Sequence, residues 1–255
     1  MNESNDLCFY ARNNYSQRGH DGIIEKIMSE LGIDKGFFVE FGAWDGIHLS
    51  NTRFLFEKGW GGCYIEANPV KYVELCKNYS GTNVICINEF VFPTASEGGV
   101  TLDEIYNKHL VASHQEIDLL SIDVDGQDYE ILENLIIKPK LIVIEGGFAW
   151  SPHLKDKVPN EIARNNIGQP LHVIIECGKA KGYQPICFNQ DVFLLRNDLY
   201  LGNNFFRQIN QDPVALWMSA FNNIFNEQER QWLIQWRNET QVVRDFERGR
   251  LTLGR

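Results

Sequence analysis

The sequence predicts an α/β fold built on a parallel sheet. Two observations favour it: apolar runs alternate with amphipathic helical segments, and residues 37–68 form a strand, a glycine turn, a helix and a second strand. In that unit the run FFV leads into EFGAWDG, and the apolar-periodic segment 54–60 precedes the run CYI. Ser50 and Asn51 lie where N-caps of the helix are expected. We therefore expect a βαβ unit whose second strand ends at Glu66.

The first turn of this unit suits a cationic nucleoside better than a dinucleotide. Its pattern is E-x-G-x-x-x-G and not G-x-G-x-x-G, with acids at Glu40 and Asp45. These carboxylates would repel a pyrophosphate, but they suit the sulfonium and amino groups of S-adenosylmethionine. Glu66 lies about 20 residues beyond Gly46, the spacing at which an acid accepts hydrogen bonds from ribose hydroxyls. A glycine bend that serves no ligand is the alternative.

Length, charge and cysteine usage narrow the function classes. The 255 residues allow one large α/β domain with appendages, and a net charge of −10 argues against a nucleic-acid partner. The chain has no run of 18 apolar residues, and residues 1–22 lack the features of a signal peptide, so we expect a cytoplasmic protein with no membrane partner. The six cysteines form no C-x-x-C pair, which favours buried thiols over disulfides or zinc ligands.

The rest of the chain continues the alternation of strands and helices. The predicted elements are a helix over 23–31 before the βαβ unit and, after it, a helix over 69–79, a strand over 84–89, a helix from 101, strands over 117–123 and 141–144, a helix over 171–181 and strands over 183–187 and 191–195. Thr101 and Glu104 form a capping-box pattern. The last two strands are expected to form a hairpin with residues 188–190 at its turn.

Acids follow four of these strands. Glu40, Glu66, Asp123 and Glu145 each stand at or near the end of an apolar run. Because parallel strands place their C-terminal ends along one edge of a sheet, these carboxylates are expected to converge on one rim, where ligands bind.

The predicted organisation is one catalytic domain with a helical extension. Residues 1–198 would form the domain, with 1–35 as an N-terminal helical cap. The loop-like segment 147–170 has the composition of a substrate lid. Residues 199–255 combine aromatic residues and charge in helical patterns, so they are expected to cover a sheet edge or to form a homo-oligomer contact.

The ordered motifs VEFGAWDG, IEANP, TLDE, DLLSIDVDGQDYEIL and LIVIEGG resemble the FkbM-type family of class I S-adenosylmethionine-dependent methyltransferases. The resemblance extends over roughly residues 15–198 through SQRGHDGIIEKI and AKGYQPICFNQDVFLLRND. It implies a seven-stranded, mostly parallel, Rossmann-like sheet with an antiparallel last hairpin, and O-methyl transfer. The implied cofactor-binding residues are Glu40, Gly42, Ala43, Trp44, Gly46, Asn51, Glu66, Ala67, Asn88 and Asp123, with Glu89 as the alternative to Asn88. His20 departs from the family, which often has an acid there, and the loop after Gly147 matches no family pattern, so the acceptor does not follow from the resemblance.

Methyl transfer to a hydroxyl requires alignment of donor and acceptor and removal of one proton. Asp123, Asp125, Glu145 and His153 are the candidates for this chemistry. In one version Asp123 and Glu145 bind Mg²⁺ and His153 takes the proton; in the other a carboxylate is the base without a metal. The expected acceptor is a small hydroxylated molecule, a sugar or a nucleotide-linked sugar.

Two other function classes remain as alternatives. One is a nucleotide-sugar oxidoreductase on a Rossmann sheet, against which the missing G-x-G-x-x-G counts. The other is a non-catalytic cofactor-binding scaffold whose C-terminal extension mediates assembly.

Overall fold

The fold is a single seven-stranded sheet flanked by helices. A computed structural model describes residues 5–111, 116–124, 126–164 and 168–239. The strands within these residues are β1 (Phe37–Phe41), β2 (Gly61–Ile65), β3 (Ile85–Ile87), β4 (Leu119–Ile122), β5 (Leu141–Glu145), β6 (Tyr183–Phe188) and β7 (Asp191–Arg196). They follow the order β3-β2-β1-β4-β5-β7-β6; β1 to β5 pair in parallel, and β7 runs antiparallel between β5 and β6. The predicted fold class, with its antiparallel last hairpin, is confirmed.

Helices cover both faces and the β6 edge of this sheet. In the described residues they are α1 (His20–Glu30), α2 (Arg53–Glu57), α3 (Pro69–Asn78), α4 (Leu102–Ile105), α5 (Asp128–Asn134), α6 (Asn160–Ala163), α7 (Leu171–Ala180), α8 (Asn197–Gly202), α9 (Asn204–Arg207), α10 (Pro213–Asn223) and α11 (Glu227–Glu239). The predicted capping box is present at the start of α4. None of the helices in the described ranges is both long enough and apolar enough to cross a membrane.

The centre of the core is the group of parallel strands β1, β4 and β5. Every residue of β1 and β4 is buried, as are the first four residues of β5. Strands covered by helices on both faces have no polar side to present to water, which explains why these segments are continuous apolar runs in the sequence. Their C-terminal ends form one edge, so residues that follow them are brought together there.

The segment over 147–170 contains a small core of its own. Trp150 and Val158 are buried in one cluster. The side-chain amide of Gln169 accepts from the Val158 N–H at 2.9 Å and donates to the Val158 carbonyl at 2.7 Å. Arg164 donates to Glu130 of α5 through two nitrogens, each at 2.7 Å. These contacts hold the segment against the main body.

The helices after β7 pack on the outer strand of the hairpin. α10 contacts β6, α7 and the short 3₁₀ turn Leu7–Tyr10, and Ser219 of α10 donates to Asp6 at 2.5 Å. Asn203 donates to the Glu30 carbonyl at the end of α1, at 2.8 Å. The N-terminal segment and the C-terminal helices therefore cover the β6 side of the sheet together.

Replacing Gly62 of β2 tests how tightly it packs against Phe38 of β1. A Cβ at Gly62 would stand 2.2 Å from two ring atoms of the buried Phe38. We expect Gly62→Ala to lower the free energy of unfolding by about 1–3 kcal/mol, because the ring has no free space to move into. The control is Gly202→Ala in α8, where an added Cβ meets nothing within 4 Å. Urea denaturation measures both; equal stability of the two variants would contradict the packing described.

Candidate functional site

A cleft of about 430 Å³ opens at the C-terminal ends of β1, β2 and β4. Its volume lies in the range typical of small-molecule sites. It is lined by Phe41, Gly42, Trp44, Ile65, Glu66, Ala67, Glu89, Phe90, Val91, Asp123, Val124, Gly126, Gln127 and Arg164. Five of the predicted cofactor-binding residues are among them: Gly42, Trp44, Glu66, Ala67 and Asp123.

The turn after β1 forms one wall of the cleft and requires a glycine. Gly42 has φ +75°, and a Cβ there would stand 1.8 Å from the carbonyl oxygen of Asp123. No other residue type fits between the ends of β1 and β4. Trp44, two residues on, also has a positive φ of 53° and leaves its ring 45% exposed beside the cleft.

Glu66 links this turn to the end of β2. Its carboxylate accepts from the Trp44 N–H and from the Asn68 N–H, both at 2.7 Å. Asn88 holds the same segment from β3, donating to the carbonyls of Glu66 at 2.7 Å and Ala67 at 3.2 Å. A carboxylate has about four acceptor positions, so Glu66 can still accept from hydroxyls of a ligand in the cleft. Asn88 supports the site without lining it.

Glu40 lies beneath the turn and does not line the cleft. Its buried carboxylate accepts from the hydroxyls of Ser50 and Thr52 and from the N–H of Asn51. Burial raises the pKa of Glu40, and these hydrogen bonds partly oppose the rise. The Thr52 hydroxyl oxygen also lies 3.1 Å from the hydroxyl oxygen of Tyr64 of β2. Ser50 and Asn51, which were expected to cap α2, instead bond Glu40, and the N-cap residue of α2 is Thr52.

Ala43, Gly46 and Asn51 likewise support the turn from outside the cleft. Ala43 donates its N–H to the Ile65 carbonyl at 3.2 Å. A Cβ on Gly46 would stand 2.5 Å from the ring of Tyr79, whose hydroxyl donates to the Gly46 carbonyl at 2.5 Å. Asn51 is buried and its amide donates to Ser121 of β4 at 3.0 Å. These three residues fix the backbone that Gly42 and Trp44 present to the cleft.

Several lining residues escaped the sequence prediction. Phe90 and Val91 follow β3, and their position after a parallel strand was a usable signal. Gln127 and Arg164 gave no such signal, since neither directly follows a strand; Arg164 is paired with Glu130 on α5. Among the described lining residues, Glu66, Glu89 and Asp123 supply three carboxylates and Arg164 supplies one guanidinium.

A second group of acids lies at the ends of β4 and β5. Asp123, Asp128 and Glu145 each place one carboxylate oxygen within 4.8 Å of the others. Asp128 is buried at the start of α5 and accepts from the N–H groups of Val124 and Gly126, both at 2.9 Å. The sequence predicts Asp123 and Glu145 as a metal-binding pair, and the structure adds Asp128 to them. A cavity of about 10 Å³, the size of one water, adjoins Asp128 and Glu145.

A buried polar network continues from these acids to α1. Asp191 of β7 pairs with Glu145 in the sheet register, and its carboxylate lies 3.4 Å from Nε2 of His20. Burial and the nearby charges of Asp123 and Asp128 raise the pKa of Asp191 well above its ordinary value. Burial lowers the pKa of His20 to about 4, against the opposing effect of its hydrogen bond with Asn189 at 3.0 Å. At neutral pH His20 is therefore uncharged, and Asp191 holds its proton to a higher pH than an exposed carboxyl does.

One predicted catalytic residue in the described part of the chain, His153, is not part of this cluster. Asp125 lies outside the described residues. His153 is exposed in the segment over 147–170, where its N–H bonds the Ser151 hydroxyl at 3.3 Å, and it lines neither the cleft nor the small cavity. The proton acceptors that the described structure brings to the strand ends are thus carboxylates.

Known structures resemble this chain in fold. The SAH-bound Podospora anserina methyltransferase PaMTH1 is 14% identical over 69% of this chain and 78% of its own, with a TM-score of 0.41. An O-methyltransferase family protein from Burkholderia thailandensis is 13% identical over 69% of this chain and 58% of its own, with a TM-score of 0.39. YjhP from E. coli is 11% identical over 89% of this chain and 82% of its own, with a TM-score of 0.35.

No protein-family model and no curated protein matches the chain. These structural likenesses are weak, so we infer the function from the geometry of the cleft and of the acid cluster.

The buried carboxyl of Asp191 leads to a prediction about stability and pH. Its raised pKa means that the folded protein retains a proton which the unfolded chain releases above about pH 4, so this contribution to stability falls as the pH rises through that window. Asp191→Asn removes the titrating group. We expect the stability of the variant relative to wild type to increase as the pH rises above about 5.

Thermal unfolding in EDTA across this pH range measures the effect, with Asp156→Asn, an exposed carboxyl, as the control. A difference between Asp191→Asn and wild type that does not change with pH would contradict the assignment of a retained proton to Asp191.

Proposed function

We propose that the protein is an S-adenosylmethionine-dependent methyltransferase. The observation that carries the proposal is the position of Glu66, a carboxylate at the tip of β2 that lines the cleft and is oriented by the Trp44 and Asn68 N–H groups. An acid at this place in a βαβ unit is suited to the ribose hydroxyls of a nucleoside.

The charge of the cleft supports a cationic cofactor. Three carboxylates line it, and the one lining guanidinium, of Arg164, is already paired with Glu130. A sulfonium is favoured in such surroundings, whereas a pyrophosphate is repelled. The antiparallel β7 between β5 and β6 also differs from the all-parallel order of dinucleotide-binding sheets, which counts against the oxidoreductase alternative.

Within this proposal the parts of the cleft take different portions of the cofactor. Glu66 would accept from the ribose, and Glu89 and Phe90, after β3, would lie beside the adenine. Gly42 and Asp123 would face the methionine portion and the sulfonium. Transfer needs the acceptor oxygen in line with the methyl carbon at about 3 Å, so the acceptor would approach from the Asp123 and Glu145 side.

We further propose that the transfer is to a hydroxyl of a small acceptor, a sugar or nucleotide-linked sugar. A hydroxyl must lose its proton on transfer, and the carboxylates of Asp123 and Glu145 stand at the strand ends where that proton would be accepted. His153 lies away from this place, so the version in which it is the base loses its support.

The acid cluster fits a divalent cation. Mg²⁺ prefers carboxylate oxygens, and one oxygen each of Asp123, Asp128 and Glu145 lies within 4.8 Å of the other two, so these residues would hold the ion together. When bound there, Mg²⁺ would lower the pKa of an acceptor hydroxyl. Asp128 would be a ligand whose position is already fixed by the Val124 and Gly126 N–H groups.

The cofactor assignment predicts the behaviour of Glu66→Gln. The variant retains one acceptor oxygen, for either the Trp44 or the Asn68 N–H, and loses the charge that strengthens hydrogen bonds from ribose hydroxyls. We expect the affinity for S-adenosylhomocysteine to fall by about 1–3 kcal/mol, or about 5- to 150-fold, in calorimetric titration. Glu176→Gln, an exposed glutamate of α7, is the control. Wild-type affinity in a folded Glu66→Gln protein would show that Glu66 does not hold the ribose.

The metal assignment predicts that wild-type protein, stripped with EDTA, binds Mg²⁺ in calorimetric titration. Glu145→Gln should weaken this binding at least about tenfold, because it removes one of three charged ligands, and Glu176→Gln should not. Absence of Mg²⁺ binding by the wild type, or equal binding by Glu145→Gln, would leave the carboxylate-base version as the mechanism.

A further inference from the structure

A further cavity, of about 370 Å³, lies beside Phe148, which follows β5. It is lined by Arg18, Phe148, Phe225, Gln228, Glu229, Trp232 and Leu233, so it is formed largely by α11 and the turn before it. Among the described residues it shares no lining residue with the cofactor cleft at the ends of β1, β2 and β4.

The position of Phe148 brings this cavity close to the acids. Phe148 follows Glu145 by three residues, so their Cα atoms are at most about 11 Å apart. The backbone between them is fixed, because the Gly146 N–H donates to the Gln190 carbonyl at 3.1 Å. Arg18 of the cavity donates to the side chain of the same Gln190, so the cavity lies near the end of the strand that carries Glu145.

Aromatic rings form one wall of the cavity. The ring of Phe148 lies 6.3 Å from that of Phe225 and 6.4 Å from that of Trp232, at interplanar angles of 23° and 28°. Trp232 is 53% exposed, so much of its indole surface is available to a ligand. Rings of this kind offer a flat apolar surface of low conformational entropy for stacking.

A charged pair forms another part of the lining. Arg18 and Glu229 form a salt bridge, and Arg18 also donates to Gln190 at 3.0 Å and lies over the Phe225 ring at 5.1 Å. Glu229 accepts from the Asn226 N–H at 2.9 Å. The pair is only partly buried, with 25% and 31% of the two side chains exposed, so both can hydrogen-bond a ligand as well as each other.

We propose that this cavity is the acceptor subsite and that it takes a sugar ring. A sugar has an apolar C–H face, which stacks on an aromatic ring, and an edge of hydroxyls that both donate and accept. The carboxylate of Glu229 accepts from such hydroxyls and the guanidinium of Arg18 donates to them. A phenol has the flat face but lacks the row of hydroxyls that the pair would satisfy.

The inference rests on the proposed function for its account of why the cavity adjoins the acids, but its test does not require the cofactor. Saturation-transfer NMR would be recorded on the full chain without cofactor. The probes are UDP-glucose, GDP-mannose, and the methyl glycosides of glucose, mannose and rhamnose, with catechol as a ring that is not a sugar. The proteins are wild type, Trp232→Ala, Glu229→Gln and the control Ile234→Ala, an exposed apolar residue of α11 that lies outside the cavity lining.

We expect ring protons of at least one sugar to receive saturation from the wild type and from Ile234→Ala, with a loss of at least about fivefold in Trp232→Ala. Glu229→Gln, which keeps the size of the side chain, should show a similar loss and decides the matter if Trp232→Ala does not fold. Binding of no sugar, binding of catechol alone, or sugar signals in both cavity variants equal to those of the wild type would overturn the proposal. Failure of the methyltransferase assignment would be seen separately, as absence of S-adenosylhomocysteine binding.

Discussion

The buried carboxylate of Glu40 holds the turn on which the shape of the cleft depends. Its three donors, from Ser50, Asn51 and Thr52, tie the start of α2 to the end of β1. Since a buried charge is tolerated only when its hydrogen bonds are complete, this set of contacts fixes one conformation of residues 42–52. Gly42 can then pass close to the Asp123 carbonyl, and the Trp44 N–H can reach Glu66. The position of Glu66 in the cleft thus follows from an acid that never touches the cleft.

The sequence was sufficient for the strands and helices but not for the order of the last strands. Periodicity identified β1, β4 and β5, because strands buried on both faces must be apolar throughout. It also identified the final hairpin, since two apolar runs are separated by a short polar turn. Nothing in the residues placed β7 between β5 and β6, and the family resemblance implied only that the last hairpin is antiparallel. The third strand, Ile85–Ile87, is shorter than the predicted strand over 84–89, because Asn88 leaves the ladder to hold Glu66 and Ala67.

The same division applies to the site. Topology predicted that Glu66, Asp123 and Glu145 would gather at one edge, since each follows the C-terminal end of a parallel strand. Glu40 differs because it lies one residue inside β1, where the pleat turns its side chain to the sheet face packed by residues 50–52. Asp128 and Arg164 could not be found in this way. Each acts through a contact made by the folded chain, Asp128 with the Gly126 N–H and Arg164 with Glu130.

The concentration of acids at the strand ends needs compensation from something positive. Asp123, Asp128 and Glu145 lie together, and Asp191 adds a fourth carboxyl, whose pKa is raised by burial and by the charges of Asp123 and Asp128. Like charges this close disfavour one another's ionised form, so a proton or a cation among them stabilises the group. Hydrogen bonds to N–H groups supply part of that compensation at Asp128. A cationic cofactor on one side of the group, and a metal ion within it, would add to this compensation. Such ligands give a physical reason for the acidity of this edge of the sheet.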